Sequence, residues 1–389
     1  MMLKKLFKTK YVKYDQKYIT LSDGDHKIIK TITNDIRLYV KKSKALNDID
    51  HHVRAVHAKS YCGLKAKFEI LDDIPKEYAQ GLYAKPGIHD AVIRFSNAAA
   101  AISADRRLGL GQGLAIKIFD VPGKKLAPGE EDSTTFDYAL VNGPIFFTNS
   151  LKNYAYLSKL NFGLNGYLED GLLGKGKFVF HWLTKYGKEF PDMEGLRSLN
   201  AFRKLATIPP KNAWLYDYFS QGAFRHGDYM AKIRVTPTKA SMDKIKRTNI
   251  HLFNEDEAIR PAIIEEIKEH DYQFAVQVQL CRNIKKQPVE QLTKEWKESD
   301  APFVTVATLT IPCQDVPDDG NLKAIEDLSF TTFRCLEANR PIGVIQHSRL
   351  RAYQASSKAR HEHNNAKRKE PTSLKEIFDK SATNELNYS

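Results

Sequence analysis

The sequence predicts an α+β protein built on an antiparallel β-barrel or sandwich, with inserted helices and a C-terminal helix. Three observations carry that expectation. Seven alternating or apolar runs, punctuated by Gly, Pro and Asp, read as strands. They are Gly63 to Leu71, Ala91 to Ser96, Leu114 to Val121, Phe136 to Val141, Tyr229 to Val235, Tyr272 to Leu280 and Phe303 to Ile311. Between Leu151 and Phe219 apolar residues recur at three- and four-residue spacings with few β-branched runs, which is the pattern of a helical insertion. From Arg349 to about Arg368 the chain is rich in Ala, Ser, Lys and Arg and reads as one helix. Pro371 is expected to end that helix, and Ser373 could cap a short last one.

These elements divide the chain into three stretches. Residues 1–45 form a polar arm with a short helical stretch near Asn34 to Ser43. Residues 46–318 hold the β-domain with its helical insertion at about 151–219, and residues 319–389 hold the C-terminal helix and tail. Hydrophobic residues make up 42% and charged residues 28% of the 389, a globular balance that can bury a substantial core. No run approaches the ~18 apolar residues of a membrane span. The basic N-terminus lacks the apolar stretch of a secretory signal, so a cytoplasmic address is expected. Four cysteines, Cys62, Cys281, Cys313 and Cys335, are widely spaced with no CxxC pair and read as buried thiols. The net charge of +13 comes from lysines scattered on solvated faces and in two tails. With no Lys/Arg block and interleaved aromatics, no nucleic-acid partner is expected, and only weak contact with an anionic surface is left open.

Two short segments almost three hundred residues apart carry the functional signal. One is Arg54, Ala55, Val56, His57, Ala58, Lys59. The other is Arg349, Leu350, Arg351, Ala352, Tyr353, with Arg360 seven residues beyond the tyrosine. The first resembles the distal-histidine motif of haem catalases and the second their proximal-tyrosine motif. Tyrosine is an uncommon axial ligand, associated with catalase among haem proteins. Further matches lie between them. Ala91 to Asn97 (AVIRFSN) resembles the family's V-R-F-S-T strand, and Gly113 to Lys117 (GLAIK) its G-F-A-V-K. Asn142 to Phe147 (NGPIFF) resembles N-T-P-I-F-F, Gln291 to Trp296 (QLTKEW) resembles L-T-K-x-W, and Asn339 to Val344 (NRPIGV) resembles the approach to the ligand helix. The resemblance covers roughly His51 to Arg360, in patches.

What the resemblance implies is a catalase-type barrel holding one haem b, with Tyr353 as the iron ligand and a small peroxide as substrate. Arg54 and Arg94 would pair with the haem propionates, with Arg360 reaching a propionate or the tyrosine's network. Ser96 would bond the His57 imidazole, Asn142 would sit beside it, Val56 would flank it, and Phe146 or Phe147 would lie against the porphyrin. A homo-oligomer is expected.

These residue types suit peroxide chemistry. Splitting an O–O bond needs a base that takes a proton from one oxygen and returns it to the other, and a neutral imidazole such as His57 serves near pH 7. The uncharged amide of Asn142 could orient the peroxide without competing for its proton. Tyr353 can bind ferric iron only as phenolate, yet a free phenol titrates near ~10, so a positive neighbour must favour the anion. Arg349, one helical turn earlier, has the right place. Ala352 and Ser356 are small enough to let a flat macrocycle approach. His51 and His52 lack partners at a zinc spacing. Gly109, Gly111 and Gly113 do not join a strand to a helix, so a nucleotide loop is not expected.

The chain also departs from the family. It is shorter than ordinary catalases, and Leu110, Gly111, Gln112 stand where they carry D-P-R. Leu110 and the Ala98 to Ala101 run make the route to the site more apolar, which favours an alkyl hydroperoxide over a small polar one. Ala355 replaces the usual aspartate after the ligand. Val56 precedes the histidine as in true catalases, where allene oxide synthases carry threonine. The expected activity is haem-dependent decomposition of hydrogen peroxide or organic hydroperoxides. A fatty-acid hydroperoxide isomerase or lyase and a non-enzymatic haem-binding protein are the alternatives.

Overall fold

The computed structural model describes residues 11–108, 111–252 and 256–379. Leu110, with its bearing on the channel, and Gly109 lie outside the described residues. All seven expected strands are present within nine. They are β1 (Ser60–Ile70), β2 (Gly87–Asn97), β3 (Gln112–Ile118), β4 (Phe136–Val141), β5 (Tyr218–Phe219), β6 (Phe224–His226), β7 (Tyr229–Pro237), β8 (Tyr272–Leu280) and β9 (Val304–Ile311). The sheet runs β5-β4-β3-β2-β1-β9-β8-β7-β6, every pair antiparallel. β5 pairs with both neighbours, Phe219 with Val141 of β4 and Tyr218 with Val235 of β7. That closes an eight-stranded barrel, with β6 as a hairpin arm on β7, and settles barrel over sandwich. A closed sheet leaves no open edge to manage.

The barrel interior follows from the alternation. Leu64, Ala66 and Phe68 of β1, Ile93 and Phe95 of β2, Leu114 and Ile116 of β3 and Tyr138 and Leu140 of β4 all enter one core. Trp214 stacks on Tyr272 at 4.6 Å and meets Phe95 edge-on at 5.1 Å.

Eleven helices occur among the described residues. They are α1 (Asp23–Asn47), α2 (Asp105–Leu108), α3 (Leu151–Phe162), α4 (Leu164–Glu169), α5 (Gly171–Thr184), α6 (Met193–Ala206), α7 (Lys239–Met242), α8 (Ile259–Glu269), α9 (Leu322–Glu326), α10 (Val344–His363) and α11 (Lys375–Phe378). The N-terminal arm is thus far more helical than expected. Ser22 and Asp25 form a capping box that starts α1 well before Asn34. Its stripe of Ile29, Ile32, Ile36, Tyr39 and Val40 packs against Ile345, Ala355 and Ala359 of α10. The insertion's helices stop at Ala206, short of Phe219, because the chain must return to complete the barrel with β5.

α10 begins five residues before Arg349, after Gly343 at φ +100°, and ends at His363, short of Arg368. Asn364 ends it by exchanging two side-chain bonds with the backbone of His52, each 2.8 Å. Pro371 therefore ends nothing, and α11 carries no side-chain cap, so Ser373 does not fill that role. Three cysteines are buried as expected, but Cys313 is exposed, in the turn just past β9.

The outer face of β2–β4 positions the site. Arg94, Ala115 and Ala139 lie in one cross-strand row, and Ser96, Gly113 and Val141 in the next. Four small or slender side chains in those rows leave room above the sheet. One row further on, buried Lys117 donates to Asp137 at 2.8 Å. Arg334 binds Asp137, Glu130 at 2.7 Å and Glu370 at 2.9 Å, anchoring the tail after α10 to the barrel. Removing one member of a buried ionic cluster strands the others, typically at about 3–5 kcal/mol. Arg334→Met is expected to lower stability by that order, read from urea unfolding.

Candidate functional site

A cavity of about 290 Å³ lies between the outer face of β2–β4, the segment after α1, helix α10 and the inner faces of α3, α4 and α6. Most of the residues expected from the two motifs line it: Arg54, Val56, His57, Arg94, Ser96, Phe147, Arg349, Tyr353 and Arg360. Residues some three hundred positions apart are thereby brought to one site. They are also tied directly, since the Ala55 amide donates to Ser356 Oγ of α10 at 3.1 Å.

On the barrel wall, His57 adopts a left-handed backbone with φ +54°, uncommon for a residue with a Cβ. Two bonds hold it there. Arg94 Nη2 donates to its carbonyl at 2.6 Å, and its Nδ1 lies 3.1 Å from Ser96 Oγ. Gly113 is paired with Ser96 directly beneath the ring, and a Cβ there would overlap both the imidazole and the Ser96 hydroxyl. Burial pushes the imidazole pKa down to about 3, reinforced by Arg94, Arg349 and Arg54 and opposed by the Asn97 backbone. His57 is therefore neutral across the ordinary pH range. Gly113→Ala is expected to displace the ring, and a misplacement of about 1 Å can cost about 10²-fold in rate. Peroxide turnover at an unchanged haem content is the measurement.

On the opposite wall, Arg349 Nη2 donates to Tyr353 Oη at 2.6 Å while its Nη1 donates to Gln346 Oε1 at 2.7 Å. The guanidinium is held from two sides beside the phenol oxygen. Ala352 and Ser356 share this face of α10 and line the cavity, so no bulky side chain crowds the tyrosine from its own helix.

Arg54, Arg94 and Arg360 converge around one half-buried carboxylate, Glu326 of α9. Arg54 pairs with it and also donates to the carbonyls of Glu326 and Leu328, both at 2.8 Å. Arg360 donates to the same two carbonyls and joins this group, not the Arg349–Tyr353 pair. Arg94 donates to Ser60 Oγ, which donates to Glu326 at 3.0 Å. Burial would raise the Glu326 pKa, but Arg54, Arg94 and Arg360 overturn that and hold it below the ordinary value. Burial and Arg54 disfavour the charges of Arg94 and Arg360 in turn. Three guanidiniums against Glu326 and the exposed Asp327, 3.8 Å from Arg360, still leave surplus positive charge on the cavity wall, and Arg360 Nε is buried with no partner.

That surplus, the flat row of small residues and the arginine-held phenol fit a planar macrocycle with carboxylate arms. Tyr353 would ligate the iron, Arg54, Arg94 and Arg360 would face the propionates, and Phe147 would lie along the ring.

Asn142 follows the last residue of β4, and its Oδ1 accepts the Gln112 amide at 2.8 Å where the β3–β4 ladder runs out. Tyr154 of α3, which no motif marked, does line the cavity. It packs on Phe146 at 5.5 Å and lies within the field of Arg349 and Tyr353. Glu326, at the end of α9, was also marked by no motif.

The fold is that of the catalases. A fungal catalase superposes with a TM-score of 0.60 at 15% identity, over 86% of this chain and 68% of its own. Catalase A from Saccharomyces cerevisiae gives 0.60 at 17%, over 100% and 78%. A bacterial catalase gives 0.55 at 16%, over 87% and 64%. Sequence comparison finds neither a matching family model nor a similar curated protein.

Proposed function

We propose that the protein is a haem-dependent enzyme that decomposes peroxides. The observation that carries this reading is the facing of a neutral, hydrogen-bonded His57 and an Arg349–Tyr353 pair across a single cavity. Haem bound there would supply a ferric centre able to cleave an O–O bond heterolytically. The chain's own residues would do the rest. Tyr353 would hold the iron as phenolate, with Arg349 balancing its charge. His57, tied through Nδ1 to Ser96, would accept the proton of the incoming peroxide at Nε2 and return it to the departing oxygen. Phe146 and Phe147 would exclude water from the pocket.

A Soret band on the purified protein, with peroxide turnover that tracks haem content, is the test. Purified protein that takes up no haem would overturn the reading.

The substrate is expected to include organic hydroperoxides. Ala98, Ala99 and Ala100 line the cavity with Leu164, Phe202 and Leu205, a wall that suits an alkyl chain better than a small polar peroxide. Cumene and linoleate hydroperoxides should compete well with hydrogen peroxide, and Leu110→Asp should shift the balance toward hydrogen peroxide. Wild type that ignores every organic hydroperoxide, with Leu110→Asp unchanged on hydrogen peroxide, would leave a plain small catalase. The apolar route equally serves a fatty-acid hydroperoxide isomerase, and product analysis with linoleate hydroperoxide separates the two: reduction to the alcohol against rearrangement.

A further inference from the structure

Helix α5 reverses the usual surface pattern. Gly174, Phe178 and Trp182 form the stripe it buries, Phe178 and Trp182 among the other insertion helices. At 100° per residue the opposite stripe holds Leu172, Leu173, Gly176 and Phe180. Leu172 is 86% exposed, Leu173 78% and Phe180 54%. Phe190, in the turn after this helix, is 94% exposed, and Met193 at the start of α6 is 63%. Eight of the thirteen exposed large apolar side chains among the described residues fall between Leu172 and Leu196. Single exposed apolar residues are ordinary; such a concentration on one short stretch marks a surface that something covers.

The charges on that stretch say what. Residues 172–196 carry Lys175, Lys177, Lys185 and Lys188 against Glu189, Asp192 and Glu194. Glu189 pairs with Lys185, Asp192 caps α6 and Glu194 accepts the Asn149 amide, so the lysines set the charge of the outer face. Lys177 reaches back to Asp170 and Lys185 forward to Glu189, and the apolar stripe is flanked by Lys175 on one side and Lys177 on the other. A second copy docked through this face would set lysine against lysine. A phospholipid surface with anionic headgroups matches both components, because leucine and phenylalanine enter the headgroup boundary while lysine stems extend their charges to the phosphates.

We propose that the outer face of α5 and the turn after it dock the protein on an anionic membrane surface. The contact is peripheral, for no helix among the described residues is long and apolar enough to cross a bilayer. The helices beneath it, α3, α4 and α6, are those whose inner faces line the cavity, so docking sets the cavity's helical wall against the lipid. This docking stands whether or not the proposed reaction does.

Co-sedimentation of the full chain with vesicles tests it, comparing phosphatidylcholine alone with a three-to-one mixture containing phosphatidylglycerol. Wild type is expected to bind the mixed vesicles at least tenfold more tightly than the neutral ones, and to be released by raised salt. L172E/F180E should bind at least tenfold more weakly, K175E/K188E should lose the preference for anionic lipid, and Ile88→Glu, at an exposed apolar residue elsewhere, should change nothing. Vesicles should also slow amide exchange over 171–190 in wild type, a readout that needs no variant to fold. Equal binding by L172E/F180E, no binding of wild type to mixed vesicles, or a dimer in solution that Phe180→Glu dissolves would overturn the proposal.

Discussion

Tyr353→Phe is expected to abolish normal haem ligation while leaving the fold intact. The substitution removes one oxygen and keeps the ring, so packing on α10 changes little. Arg349 keeps its bond to Gln346, so its guanidinium is not stranded by loss of the phenol. What disappears is the oxygen that an arginine holds 2.6 Å from its own nitrogen on a wall otherwise built of Ala352 and Ser356. The described cavity lining contains no cysteine, its histidine, His57, lies on the opposite wall, and its other nearby phenol, Tyr154 of α3, is held protonated by burial, which disfavours the phenolate that ferric iron needs. Absorption and electron-spin spectra of the purified variant are the measurement. An unchanged high-spin ferric tyrosinate signature would remove Tyr353 from the ligand position. Arg349→Leu should give a milder version, with haem bound but the tyrosinate band shifted and weakened.

The parts of this molecule that were legible in its sequence are those written by local pattern. Seven barrel strands alternate visibly, because one face of each enters a single core while the other does not. β5 was not legible: a two-residue strand has no period, and only the closed ring gives Tyr218 and Phe219 partners on both sides. The first half of α1 was obscured by Asp23, Gly24 and Asp25, weak helix formers, of which Asp25 forms the capping box with Ser22. At the site, the residues of the histidine and tyrosine motifs come to one cavity, and Ser96 bonds His57. The arginine cluster is different. Arg54 was expected to serve a propionate and Arg360 a propionate or the tyrosine's network, yet each also donates to the Glu326 carbonyl at the end of α9. Their shared counter-charge, Glu326, could be recognised only once α9 was folded against them.

His57→Ala should retain haem, held from the opposite wall, and lose most peroxide-dependent turnover, by about 10²–10⁴-fold for a general acid–base group. No neighbour is placed to replace it. The Ser96 hydroxyl does not titrate near neutrality, and burial holds the Tyr154 phenol above its ordinary value, so it keeps its proton. The environment of His57 also fixes the pH response. With its pKa pushed down to about 3, chiefly by burial, the imidazole stays a neutral proton acceptor from well above neutrality to about pH 4. Turnover should therefore show no acid limb near 6.5, the value of an unperturbed histidine. The same shift couples to stability with a definite sign. As pH falls from about 6.5 toward 3, the unfolded imidazole takes up a proton that the folded one refuses, so the apo-protein is expected to lose stability over that window, and the dependence should weaken in His57→Ala. Stopped-flow turnover between pH 4.5 and 8, beside urea unfolding over the same range, checks both. A rate that halves near pH 6.5 in wild type would mean that His57 is more solvated than its cavity wall implies. Wild-type rates in the alanine variant, with hydrogen peroxide and alkyl hydroperoxides alike, would mean that the proton moves through some other group.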